Sequence, residues 1–214
     1  MRIHQVPWIA AWSLEYRRVG SIGGGWPATF EDAATDFDHV TELAKTYPVD
    51  LKRVITKDHS AGGAPRILAC WTASRPGGQH PASAATEDSP AGSSRVGRVG
   101  RSPAHYRSLR LADLKREVFS LMGGSPADFQ DRYRAGNPGD LLPLGVRQAL
   151  IQGSNDAQIP SELPGRWADM ARRQGEEVDV SIISGAGHFD VVDPESAAWA
   201  VALGATMKLL GMRR

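Results

Sequence analysis

The chain has 214 residues, a formal net charge of +1, one cysteine, and 41% hydrophobic residues. That length suffices for one domain with a sizeable core. The near-neutral balance provides no global field for nucleic acid or an anionic membrane. Cys70 alone excludes an internal disulfide, and no apolar run approaches the roughly 20 residues of a membrane span. Residues 6–12 are apolar but short and lack a small-residue cleavage site after them, so they read as strand rather than leader. A soluble, cytoplasmic protein is the expectation.

In chain order, residues 9–16 read as a strand and 20–25 as a glycine-rich loop. Pro27 suits the first turn of a helix whose apolar positions Ala33, Phe37, Val40, Leu43 and Ala44 recur at helical spacing. A strand over 53–57 and a helix over 61–74 follow, with Cys70 as a small apolar residue on that helix. Leu111, Leu114, Val118, Leu121 and Met122 form a helical stripe over 109–122, which Gly123-Gly124 ends. A short helix over 125–133, a strand over 146–153, a helix over 161–173, a strand over 178–184 and a helix over 194–210 complete the chain. Such alternation predicts an α/β fold: a mainly parallel sheet with helices on both faces. No internal repeat is present.

Asp58-His59-Ser60-Ala61-Gly62-Gly63 lies between the strand over 53–57 and the helix that follows. Strand, sharp turn and helix form the setting of a nucleophile elbow, which lifts a serine hydroxyl clear of the sheet. The usual pattern is G-x-S-x-G, and Asp58 stands where its first glycine belongs. The hexapeptide also reads as a Ser/Gly-rich turn without chemistry. A serine nucleophile needs a base and a carboxylate that orients the base. Asp156 follows the strand over 146–153, and His188 follows the strand over 178–184. Singly, Asp156 reads equally as a cap and His188 as a polar loop residue. Together, the order Ser60, Asp156, His188, each after a strand, is that of a hydrolase triad. Sites in parallel sheets lie at these carboxyl ends.

Several stretches resemble the α/β-hydrolase superfamily, especially small serine esterases of the acetyl-esterase and arylformamidase kind. They are Leu14-Glu15-Tyr16-Arg17-Arg18, Gly23-Gly24-Gly25-Trp26-Pro27, the His59-Ser60-Ala61-Gly62-Gly63 elbow, Gly153-Ser154-Asn155-Asp156 with Ile159-Pro160, and Gly185-Ala186-Gly187-His188-Phe189. The resemblance covers roughly residues 9–75 and 110–210. It implies Ser60 as nucleophile, Asp156 as acid, His188 as base and the Ala61 amide as an oxyanion donor. It also implies a small carboxylic ester or related acyl substrate, with no cofactor, and the six histidines show no zinc-ligand spacing, so no metal is expected.

Two departures from the family pattern shape the expectations. Family members begin with extra strands and a His-Gly-Gly oxyanion loop, and no such loop precedes the elbow here. A truncated sheet, weak activity and self-association through an exposed edge at 9–14 are therefore expected. The region 76–107 is rich in Arg, Gly, Ser and Pro where the family has a core strand. It reads as a disordered insertion at about 77–107 within a single domain spanning 1–214, although its arginines also fit a basic arm for nucleic acid. Two other functions compete with this one: a hydrolase-like protein with impaired catalysis, and a dinucleotide binder. Gly23 to Ala28 formally fits G-x-G-x-x-A. Against it, Pro27 lacks an amide donor, and Asp58 lies too far on for the ribose-binding carboxylate.

Overall fold

A parallel sheet organises the chain. The computed structural model describes residues 9–60, 94–96 and 109–212. Its strands β1 (Ser94–Val96), β2 (Arg147–Gly153) and β3 (Val178–Ile183) lie in the order β1-β2-β3, and both ladders are parallel. Gln148 pairs with Val178 and Gly153 with Ile183, so β2 and β3 end level with each other.

Helices cover both faces of β2, as the α/β pattern requires. Successive strand residues point to opposite faces. Leu150 packs against Trp167, Ala168 and Ala171 of α4 (Leu163–Arg173). Its neighbour Ala149 packs with Leu209 and Ala205 of α5 (Ala197–Leu209), and with Ile55. A second core forms where Phe30 of α1 (Ala28–Thr46) meets Met122 of α2 (Leu109–Met122) and Leu141. Tyr133 of α3 (Gln130–Gly136) packs against that cluster, and Leu144 touches both this core and the one under α4.

The end of the sheet remote from the site holds a buried polar network. Trp167 Nε1 donates to Gln148 Oε1 at 2.8 Å, Gln148 Nε2 donates to Glu176, and the Gly145 amide donates to Glu176 Oε1 at 2.6 Å. Burial raises the Glu176 pKa, and these donors only partly offset it. The network satisfies three buried side chains that the core would otherwise penalise.

Several elements differ from the sequence expectation. Residues 9–16 carry no ladder bonds among the described residues. Their backbone turns to α1 instead: the Glu15 amide donates to Asp36 and the Arg17 amide to Asp32. The Arg17 guanidinium also binds Asp32 through both oxygens, at 2.8 and 2.7 Å. The strand expected over 53–57 begins instead as a 3₁₀ turn, Leu51–Arg53, because the Asp50 carboxylate accepts the Lys52 amide and caps it. Residues 54–59 continue without a ladder. Within the tract read as strandless, Ser94–Val96 is a strand. Three residues need only the backbone of β2 as a partner, and composition carries little information about so short a pairing. The rest of that tract, the expected helix over 61–74, and Cys70 lie outside the described residues. The helix expected over 125–133 starts later, because the Asp128 carboxylate accepts the Ser125 hydroxyl and amide in a preceding turn. Among the described residues, no helix is long and apolar enough to cross a membrane.

Candidate active site

Asp156 and His188 meet because β2 and β3 end side by side. Their two exit loops are bonded directly to each other. The Ser154 amide donates to Ile183 O at 2.9 Å, and the Asn155 amide donates to Ala186 O at 2.9 Å. The Gly185 amide donates to Ser154 Oγ at 2.9 Å. The loops come so close that a Cβ on Gly153 would lie 2.0 Å from Ala186 O, so only glycine fits there.

Within this frame, His188 Nδ1 lies 2.9 Å from Asp156 Oδ2. The two side chains are only 5% and 4% exposed, so water competes little for their hydrogen bond. Asp156 Oδ1 accepts the Gln158 and Ile159 amides at 2.8 and 2.9 Å. Burial pushes the Asp156 carboxyl upward. The hydrogen bonds from His188 and from the Ile159 and Gln158 amides outweigh that effect and hold the pKa below its ordinary value. Donation from Nδ1–H to Asp156 is the tautomer that leaves Nε2 free to accept a hydrogen bond.

That Nε2 lies 3.1 Å from Ser60 Oγ. Ser60 has φ +56°, alone among the described non-glycine residues in the left-handed region. A serine held there costs on the order of 1–3 kcal/mol, and such outliers cluster at functional sites. Ser60 in this conformation has its hydroxyl at the ends of β2 and β3, beside His188. Of the four site residues expected from sequence, the structure brings Ser60, Asp156 and His188 together, while Ala61 lies outside the described residues.

Three participants had no role in the sequence reading. His59 Nε2 donates to the His188 carbonyl at 2.8 Å and ties the serine turn to the histidine loop. Its ring centroid is 4.6 Å from that of His188, and Phe189 lies 4.9 Å from His188 on an edge-on approach. Gly153 is the third. Its signal was a glycine closing an apolar strand, a pattern that often marks close backbone approach. Asp58 is half-buried and lines a small cavity of about 50 Å³ with Lys57, Asp156 and His188.

The glycine-rich loop is committed elsewhere. The Gly24 amide donates to Ser21 O, the Gly25 amide to Thr29 Oγ1 and the Trp26 amide to Leu121 O. Those donors are the ones a pyrophosphate would need, which removes the basis of the dinucleotide reading. Among the described residues, no group of three His, Cys, Asp or Glu side chains is arranged to hold a metal ion.

No protein-family model matches the chain, and no curated protein matches it in sequence. Solved structures do match. A thermophilic esterase from the Planctomycetes species Thermogutta terrifontis, with butyrate bound, is 18% identical at a TM-score of 0.62. The match covers 92% of this chain and 69% of that one. The same esterase phosphonylated by sarin is 17% identical at a TM-score of 0.64, covering 91% and 69%. A carboxylesterase from Lactobacillus plantarum is 12% identical at a TM-score of 0.58, covering 90% and 68%. At these identities the likeness concerns architecture, and it agrees with the parallel sheet, its two helical faces and the partial span of the matched chains. The chain has an α/β-hydrolase-like fold.

Proposed function

We propose that this chain is a serine hydrolase acting on a small carboxylic ester or related acyl compound. The observation that carries the reading is the continuous line from Asp156 Oδ2 through His188 to Ser60 Oγ, ending on a serine with positive φ. Ser60 Oγ attacks the acyl carbon while His188 Nε2 takes its proton. Collapse of the tetrahedral intermediate breaks the bond to the leaving oxygen, which receives that proton from His188. Water then attacks the acyl-serine with His188 as base, releasing the acid and restoring Ser60. Asp156 holds Nδ1–H and stabilises the imidazolium that forms twice in the cycle. The family resemblance adds the Ala61 amide as an oxyanion donor. The likeness to structures described as esterases points the same way.

The test is turnover of p-nitrophenyl acetate. Ser60→Ala and His188→Ala should each lower kcat by about 10⁴–10⁶, and Asp156→Asn by about 10⁴. Equal turnover in wild type and Ser60→Ala would refute the assignment. Asp58, in place of the elbow glycine, favours a second reading in which the same fold has lost turnover. A wild-type protein that neither turns over the ester nor reacts at Ser60 selects that reading.

A further inference from the structure

The exposed aromatic ring beside the proton-transferring imidazole suggests which part of a substrate this chain selects. Phe189 is 63% exposed. Scattered exposed apolar residues carry no meaning in themselves, but the position of this one does. Its ring centroid lies 4.9 Å from His188 and 5.5 Å from His59, the residue preceding Ser60. Phe189 therefore stands at the junction of the base and the nucleophile.

The ring is held in place rather than carried on a lax loop. The Phe189 carbonyl accepts the Val192 amide at 2.9 Å, at the start of a 3₁₀ turn, Asp190–Val192. The Gly187 amide donates to Asp190 Oδ2 at 2.7 Å, and the His188 carbonyl between them accepts from His59. Backbone on both sides of Phe189 is thus bonded, and the side chain still projects into solvent.

The chemistry identifies what comes near it. His188 Nε2 must deliver a proton to the leaving oxygen, so that oxygen comes within hydrogen-bond distance of the imidazole. Its substituent then lies beside the rings that flank the imidazole. Phe189, exposed and 4.9 Å from the imidazole, offers that substituent an apolar face. A flat ring gains most from such a neighbour, because aromatic pairs attract beyond simple area burial.

We propose that Phe189 is a specificity-determining residue that receives the leaving group, so that esters of aromatic alcohols are preferred over alkyl esters of the same acid. This rests on the hydrolase reading of Ser60 and His188. The reaction is ordinary hydrolysis: the acyl–oxygen bond breaks, the alcohol leaves with the proton from His188, and water completes the acid.

The experiment compares kcat/KM for benzyl acetate and ethyl acetate, whose leaving alcohols have similar acidity, in wild type, Phe189→Ala, Phe189→Leu and Phe189→Tyr. Wild type should favour the benzyl ester. The preference should fall about 2–12-fold in the Ala and Leu variants, the worth of one aromatic contact, and persist in the Tyr variant. A purely structural role would slow both esters alike and leave their ratio unmoved, and an unchanged ratio overturns the proposal. If wild type turns over neither these esters nor p-nitrophenyl acetate, the hydrolase reading fails separately. The subsite is then read from the ring resonances of His188 during titration with benzyl alcohol. Shifts in wild type that are lost in Phe189→Ala support it, and no shift in wild type overturns it.

Discussion

The segment that carries Ser60 is built differently from the loops that carry Asp156 and His188. The two loops leave adjacent strands of one parallel ladder, end in register, and are cross-bonded by backbone amides. Their relative position is a property of the main chain. Residues 54–59 carry no ladder bonds among the described residues. Side chains in and just before this segment hold it instead: Ile55 packs against Ala149 and Leu209, Arg53 Nε donates to Leu210 O at 3.0 Å, and His59 binds the His188 carbonyl. The Asp156–His188 pair should therefore be robust to side-chain changes and sensitive to backbone intrusion. The position of Ser60 should show the opposite pattern.

Outside Ser60, Asp156 and His188, the largest effect should come from intruding on the backbone contact. Gly153→Ala places a methyl group where Ala186 O now sits, so the two loops must part. Displacements near 1 Å at such a site cost about 10²-fold in rate. We expect kcat/KM for p-nitrophenyl acetate to fall by about that factor, with loss of the His188–Asp156 hydrogen-bonded proton signal in NMR spectra. A fully active Gly153→Ala protein would show that the loops are not locked as described.

A change at the remote end of the same strands should separate stability from site geometry. Glu176→Ala leaves the Gly145 amide and the Gln148 side chain without their acceptor. Leaving buried donors unsatisfied costs about 1–3 kcal/mol, which for a chain of this size lowers Tm by roughly 2–12 °C. Below that temperature, turnover per folded molecule should stay unchanged. A parallel loss of turnover would mean that the two ends of the sheet are coupled.

The tether on the Ser60 side should give a smaller change. His59→Phe keeps a ring against His188 but removes the donor to its carbonyl. Loss of one such bond, worth about 0.5–1.5 kcal/mol, should reduce kcat by up to about 10-fold with little change in KM. The same variant should leave the NMR signature of the Asp156–His188 pair intact, because the ladder, not His59, sets that pair.

How much of this was legible in the sequence follows the same division. The apolar strands over 146–153 and 178–184 announced themselves, and the turns after them located Asp156 and His188. Helix α2 was legible to the residue because its stripe ends at Gly123-Gly124. Segments whose partners are side chains were misread. The run over 9–16 looks like a strand, yet its Glu15 and Arg17 amides bond to carboxylates on α1, a choice no periodicity records. The Leu51–Arg53 turn was signalled by Asp50 as a cap and overlooked. Ser94–Val96 is the exception: it is backbone-paired, but three residues, Ser-Arg-Val, are too short to show an apolar run. His59 and Phe189 were visible within their motifs, but their contacts with His188 exist only once the two loops meet.

The smallest predicted effect concerns that side-chain-held N-terminal segment. The hydrogen bonds from the Arg17 side chain and amide lower the Asp32 pKa from 3.8 to about 2. A depressed carboxylate stabilises the fold above its unfolded value, and that stabilisation is lost as pH falls through the folded value. Residues 15–18 should therefore detach from α1 between about pH 4 and pH 2, which amide exchange at Glu15 and Arg17 would report. The Asp156 carboxylate is also held below its ordinary value, so it should stay ionised as pH first falls through the ordinary carboxylate range. Exchange at Arg17 that is indifferent to pH across this window would mean that Asp32 does not hold the segment.

The central claim is that Ser60 is a nucleophile activated by a base on another loop. Covalent labelling by a fluorophosphonate tests it most directly, since attack at phosphorus needs the activated serine and no particular substrate. Tryptic mass mapping of the labelled protein should find one phosphonylated residue, Ser60. The label should vanish in Ser60→Ala, and labelling should slow by orders of magnitude in His188→Ala. Labelling at another residue, or at Ser60 with equal speed in wild type and His188→Ala, would contradict the account.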